Sequence, residues 1–502
     1  MNRPIITPAG GPGLAPAPYV RLFEAFARDG VAWCGWKSPR RLPDAFAGRA
    51  DLDLLIARAD RHKAARILTD CGFKLAPDAP GRADAAAASF LGFDPLTGAL
   101  MHVHAHFRLI LGPPLSKNDR LPCEAGFLAR CRELPDSGFR TLSDPDAALL
   151  LFVRAQCERS LLDPVHMRRR VAIEEKFRQD FVGLAPLDEE ALRRSAAEIF
   201  DDELAKEIAR VIVEGDPLAP SAGLRRKVAR ALAPYRLCGG FEAPLRRAWR
   251  TTMFLFGAFN RRYLQTPRLW GRQAPGGGAV IAFVGVDGSG KSTATNNVRD
   301  WLGAEIDVIK IYFGTGDGAP SLLLAPIKFL AEAFARVVKT RPKGASHGRI
   351  SDKPPGVAYS VLFALWAVAV ALDKKHKLTV IQRGLRRGFV VVTDRYPQNE
   401  IEGFNEGPLL HRLPRAPAWL RRFEGAIYER ARKTPPDLVL KLHVGPETVA
   451  RREPEMSRPL IDRRVENVKR LRFAGAKIID IDATAPLDQV TDAVKRAVWE
   501  TI

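Results

Sequence analysis

The chain has 502 residues, 46% of them hydrophobic and 27% charged, with a formal net charge of +21. That composition suits globular domains with real cores, and the length leaves room for two or three. The basic excess is read either as a solvated surface or as favouring anionic partners: nucleotides, nucleic acid or an acidic membrane.

The first residues, "MNRPIITPAGGPGLAPAP", are rich in Pro, Gly and Ala and lack the apolar core of a signal peptide. Residues 1–18 are read as a disordered leader, and the location expected is cytoplasmic. The six cysteines (Cys34, Cys71, Cys123, Cys131, Cys157 and Cys238) form no Cys-x-x-Cys pair and no cysteine spacing for zinc. They suggest reduced thiols rather than a disulfide framework.

Residues 19–140 read as a mixed α+β domain. In "WCGWKSPRRLPDAFAGRADLDLLIA" (33–57), Asp51 and Asp53 alternate on an expected strand and so share one face. Two carboxylates placed so can share the Mg²⁺ of a nucleoside triphosphate. With "GWKS" upstream, the stretch resembles the nucleotidyltransferase superfamily, in which a Gly-Ser turn precedes an Asp-x-Asp strand. The resemblance implies a third carboxylate on a later strand. The matching stretch here, "MHVHAHFRL", offers His102, His104 and His106 instead. Their period-two spacing puts three imidazoles on one face, where they either ligate a metal or point to solvent from a half-buried strand.

Residues 141–270 read as helical, with runs such as "DEEALRRSAAEIFDDELAKEIARVIVE". "RRAWRTTMFLFGAFNRRYL" (246–264) has basic ends around an aromatic middle. It is read as packing between the domains or lying weakly on an anionic membrane. No nucleic-acid module of known pattern is seen, and the oligomeric state is not readable. "GRQAPGGGA" (271–279) reads as a Gly/Pro linker over 271–278.

After it, near-continuous apolar runs alternate with helical stretches. "AVIAFVG" (279–285), "DVIKIYF" (307–313), "FVVVTD" (389–394), "DLVLKLHV" (437–444) and "KIIDIDA" (477–483) read as strands. Residues 279–502 are therefore expected to form a doubly wound α/β domain on a parallel sheet. The uncharged run "VAYSVLFALWAVAVAL" (357–372) is short for a membrane span and reads as a buried helix.

"FVGVDGSGKST" (283–293) fits Gly-x-x-x-x-Gly-Lys-Ser/Thr between a strand and a helix, the context a phosphate-binding loop requires. Gly285, Asp287, Gly288, Ser289, Gly290, Lys291, Ser292 and Thr293 are its candidate nucleotide-binding residues. The glycines let backbone N–H groups curl around phosphate, Lys291 reaches its outer oxygens, and the Ser292 hydroxyl ligates Mg²⁺. "FVVVTDRYP" places Asp394 at the C-terminal end of a strand, where ligands of open parallel sheets bind. Asp394 is a second candidate for Mg²⁺, and Arg395 for a second anion. "VARREPEMSRPLIDRR" offers Arg451, Arg452, Arg458, Arg463 and Arg464 for closing over transferring phosphates, with Arg451 and Arg452 the catalytic candidates.

Residues 279–502 resemble the thymidylate kinases, within the P-loop nucleoside monophosphate kinases, on "GVDGSGKST", "DRYP", "PPDLVLKLHVGPETVARR" and "IDATAPLDQV". The resemblance implies ATP and Mg²⁺ as cofactors, an acceptor contact for Asp287, metal and acceptor roles for Asp394 and Arg395, and an adenine site beside "IDATAP". The sequence departs from that family at "YFGTGDGAP" (312–320), where an acceptor loop of Arg-Glu-Pro-Gly type is usual, and in a Pro-rich insertion at 341–356. An acceptor-binding arginine has no clear counterpart at Lys374 or Lys375. The function expected is ATP-dependent phosphoryl transfer to a nucleoside monophosphate or other small acceptor. The alternative is an NTP-gated regulatory or scaffold protein.

Overall fold

A computed structural model describes residues 16–78, 86–113, 115, 117–135, 138–158, 174–184, 186–239, 241–264, 271–314, 357–402, 404, 407–410, 413, 416–454 and 456–502. The chain divides into two compact units, one ending at Trp270 and the other spanning Gly271–Ile502.

The first unit contains strands β1 (Trp33–Gly35), β2 (Leu52–Ile56), β3 (Lys74–Leu75), β4 (Ala87–Phe93), β5 (Leu100–His106), β6 (Leu109–Leu111), β7 (Asp119–Leu121), β8 (Arg132–Glu133) and β9 (Arg140–Thr141). Seven of them form one mixed sheet in the order β3-β4-β5-β2-β1-β9-β8. All five residues of β2 are buried, because both faces of the sheet are covered. Leu52, Leu54 and Ile56 join the aromatic core around Tyr19, Phe23, Trp33 and Phe139. Leu55 and Cys34 point the other way, into a core shared with Phe152 and Leu192.

That second core comes from the helical region. Helix Asp144–Cys157 starts where the Ser143 hydroxyl accepts from the Asp146 N–H. Helices Glu189–Ala196, Asp202–Glu214 and Ala222–Leu232 start at Asp188, Asp201 and Ser221, each with a side chain that accepts from the first turn. The helices and the sheet thus share one hydrophobic core, where the sequence suggests two separate regions. Helix Ala17–Arg28 begins two residues inside the expected leader, with Pro18 and Tyr19 buried; residues 1–15 lie outside the described residues. All six cysteines are free thiols.

The second unit is built on a five-stranded sheet of β10 (Ala279–Gly285), β11 (Val308–Tyr312), β12 (Val390–Asp394), β13 (Leu438–His443) and β14 (Lys477–Asp482). The order is β11-β12-β10-β13-β14, and every pairing is parallel. β10 lies at the centre, so its C-terminal end opens between those of β12 and β13. This is an α/β fold, and the five expected strands appear within a residue or so of their expected bounds.

The Gly/Pro segment 271–278 opens the second unit, and its first residues are held in place. The Arg272 guanidinium is buried and donates to Glu305, Ala274 N–H donates to Gly388, and a side chain at Gly271 would collide with Asp307. It is packed because its polar backbone finds partners along the sheet edge. The apolar run 357–372 opens the long helix Val357–Leu385. Ala367, Val370 and Ala371 are buried, but Val361 and Leu365 are exposed among the described residues, so the run is not buried throughout. No helix among the described residues is long and apolar enough to cross a membrane. Most of 312–320 and all of 341–356 lie outside the described residues, as do the side chains of 257–264.

Candidate functional site

The site forms where β10 ends. Gly285 is the last residue of the strand, and a methyl group there would sit 2.4 Å from Ser289 Oγ and 2.9 Å from the Leu442 carbonyl oxygen. Only glycine permits so close a return of the loop onto β13. Gly290 precedes the helix Lys291–Leu302 with φ +87°, a left-handed conformation that a side chain would strain. The loop therefore delivers Lys291, Ser292 and Thr293 to a helix N-terminus, where backbone N–H groups and the helix dipole favour anions.

Lys291 is buried, and its ammonium donates to the carbonyls of Gly285 (3.1 Å) and Val286 (2.7 Å). Burial, helped by the nearby Arg395 charge, pushes its pKa down to about 8. Ser292 Oγ donates to Asp394 Oδ2 at 2.7 Å. Asp394 closes β12, which pairs in parallel with β10 at Phe283, so the strand register brings the two together. Its other oxygen, Oδ1, is buried and has no hydrogen-bond partner among the described residues. A carboxylate oxygen left so, beside a serine hydroxyl, is a donor set suited to a hydrated hard cation such as Mg²⁺.

Arg395 has φ +68°, uncommon for any residue but glycine. Its backbone N–H bonds to Phe283 O, and its guanidinium reaches Asp287 Oδ1 at 2.7 Å. Asp287 Oδ2 is taken by Arg464 at 2.8 Å. Two arginines thus grip one loop carboxylate from different places, the turn just after β12 and the helix Arg458–Arg470. Arg452 donates to Gly288 O at 2.7 Å. Arg451 is exposed and has no ion pair with the described residues.

Arg464 is the residue whose weight the arginine run conceals. Helical periodicity carries the signal, since Ile461 and Val468 are buried and Arg464 shares their face. Lys374, weighed as an acceptor contact, is buried with its ammonium on the Tyr428 hydroxyl at 2.8 Å. Tyr396, of "DRYP", donates to Thr434 O and is a packing residue.

Next to the loop is a cavity of about 330 Å³, lined by Gly290, Thr293, Asn297, Ala483, Leu487 and Val490 among others. It joins the start of the P-loop-like helix to the segment "IDATAP", and its volume is at the lower end of the range for small-ligand pockets.

In the first unit Asp53 lies on β2 opposite His104 of β5, with His106 two pairs further along, opposite Leu55. Asp53, His104 and His106 form one cluster whose ligand atoms lie within 4.8 Å of one another. Asp51 precedes the strand, and its carboxylate is 2.7 Å from His102 Nδ1. Each carboxylate thus has its own histidine partners. The histidines do not point to solvent as one reading of the sequence had it: His102 and His106 are buried and His104 is partly buried.

No protein-family model matches the chain. It is 29% identical over 223 residues to the uncharacterized ATP-binding protein YghS of Escherichia coli K12, covering 44% of this chain and 92% of that protein. It is 28% identical over 233 residues to the uncharacterized ATP-binding protein YghR of the same strain, covering 44% of this chain and 86% of that protein.

Proposed function

We propose that the second unit is a P-loop kinase domain that binds Mg·ATP and transfers the γ-phosphoryl group to a small phosphorylated or hydroxylated acceptor, a nucleoside monophosphate first among them. The observation that carries this reading is the Ser292–Asp394 contact at the mouth of a parallel sheet, with Lys291 buried behind it. The similarity to two proteins named as ATP-binding supports the nucleotide.

In this reading the loop N–H groups and Lys291 hold the β- and γ-phosphates. The adjoining cavity takes the base. Ser292 and Asp394 would hold Mg²⁺, which neutralises charge on the phosphates when bound. Arg395, held at Asp287, faces the acceptor side. Arg452 and Arg464 supply positive charge as an acceptor oxygen bonds to the γ-phosphorus and the bond to the ADP oxygen breaks.

A second reading has its own support. Arg452 and Arg464 are bound to the loop itself, through Gly288 O and Asp287. Those contacts compete with phosphate for the same guanidinium groups, so nucleotide binding can switch the arginine segment without turnover.

Purified full-length protein with Mg·ATP is to be assayed for ADP release against a panel of nucleoside monophosphates and nucleosides. Acceptor-dependent ADP release supports the kinase. Tight ATP binding with no acceptor accelerating ADP release supports the switch. No ATP binding overturns both.

A further inference from the structure

The Asp53 cluster has a geometry that hydrogen bonding explains poorly. Asp53 Oδ1 lies 3.3 Å from His104 Nδ1 and 3.3 Å from His106 Nε2, and the two nitrogens are 3.1 Å apart. Three potential ligand atoms therefore form a near-equilateral triangle. A charge-assisted N–H···O⁻ bond is shorter, about 2.7–2.9 Å. If both imidazoles donated to Asp53, their two N–H groups would face each other across the shortest edge. If one accepted there, its contact with the carboxylate would join two acceptors. No assignment of protons satisfies all three edges.

A cation satisfies them together. With metal–ligand bonds of about 2.0–2.1 Å, the edge of a tetrahedron is about 3.3 Å. The geometry points to a transition-metal site of the zinc class, with Asp53 Oδ1, His104 Nδ1 and His106 Nε2 as its ligands. Two imidazole nitrogens and one carboxylate favour Zn²⁺ or a neighbouring first-row ion over Mg²⁺, which prefers oxygen. Three protein ligands leave a fourth position for water, as in catalytic rather than closed structural zinc sites.

The surroundings fit. Asp53 is 7% exposed and His106 6%, and the edge of the Trp36 ring packs on His106 with centroids 4.9 Å apart. Lys37 Nζ holds the other carboxylate oxygen, Oδ2, at 2.6 Å and so turns Oδ1 toward the imidazoles. Its side chain is 31% exposed, which leaves its charge in reach of water. His102 stacks on His104 with centroids 5.7 Å apart but faces Asp51 and is no ligand.

The test is a titration of chelator-stripped full-length protein with Co²⁺, followed by visible absorption, with metal content measured on the unstripped protein. One equivalent of Co²⁺ is expected to bind with the intense d–d bands of four- or five-coordination. Zn²⁺ should displace it, and millimolar Mg²⁺ should not. Asp53→Asn, His104→Ala and His106→Ala should each weaken binding by about 100-fold or more, and His102→Ala should change it by less than about threefold. The wild-type titration decides even if a variant fails to fold, since absence of Co²⁺ uptake overturns the site. So does uptake that survives all three ligand substitutions. Uptake only in Lys37→Met also overturns it, by showing that the lysine ammonium is the cation built into this place.

Discussion

Ser292 Oγ and Asp394 Oδ2 lie 2.7 Å apart across 102 residues of sequence. The pairing follows from the parallel register of β10 and β12, which ends both strands at one edge of the sheet. It puts a hydroxyl and a carboxylate together at the start of the helix that begins with Lys291.

Lys291→Ala is expected to lower ATP-dependent turnover by about 100-fold or more, with circular dichroism unchanged. The lysine supplies a point charge at phosphate, and its contacts in the protein are two carbonyls. Near wild-type phosphoryl transfer by a folded Lys291→Ala protein removes the kinase reading.

The low pKa of Lys291, about 8, makes nucleotide affinity depend on pH. Above pH 8 without nucleotide the amine is neutral, while bound phosphate favours the ammonium. ATP binding should therefore weaken as pH rises through 8, with proton uptake near pH 9 visible as a buffer-dependent heat in calorimetry. Stability in the absence of nucleotide runs the other way. The unfolded lysine titrates near 10.5, so the unfolded state binds more protons between about pH 8 and 10.5, and this residue's contribution to stability rises across that window. Lys291→Met should flatten both dependences.

Arg464→Ala and Arg452→Ala should lower kcat and kcat/KM together, by about 100-fold for Arg464, with ATP affinity within about threefold. Arg464 is the better placed, with its side chain 13% exposed against Asp287. Arg451→Ala is the contrast, because that side chain is exposed without an ion pair among the described residues. Its effect should stay within about threefold. Steady-state kinetics on the three variants separates these outcomes, and an Arg451 effect as large as that of Arg464 would refute the assignment.

Asp146 is a structural counterpart. It is fully buried in the first unit and accepts from Arg130, Ser143 and Ser195. Asp146→Ala leaves the buried Ser195 hydroxyl without its acceptor, while Arg130, 39% exposed, keeps Glu198. The substitution is expected to destabilise the unit by about 1–3 kcal/mol. Urea unfolding followed by a probe in the first unit measures this, and Asp146→Asn should recover part of the loss.

The strands of the second unit and its glycine-rich loop were legible in the sequence because their determinants are local. Apolar β-branched runs mark strands buried on both faces, and Gly285 and Gly290 stand where backbone geometry admits little else. Which arginines of the five reach the loop was not legible, since helix rotation and the docking of two helices, Pro446–Arg452 and Arg458–Arg470, choose Arg452 and Arg464. The packing of Gly271–Ala274 escaped for the same reason: Gly and Pro mark irregular backbone, while Glu305, Asp307 and Gly388, distant in sequence, decide whether it is held. In the first unit the alternation of Asp51 and Asp53, and of the three histidines, was plain from a period of two. Their pairing was set by the parallel register of β2 and β5, which places Asp53 opposite His104. A period fixes which face a side chain takes, but register between strands is a tertiary contact, and it alone decides which carboxylate meets which imidazoles.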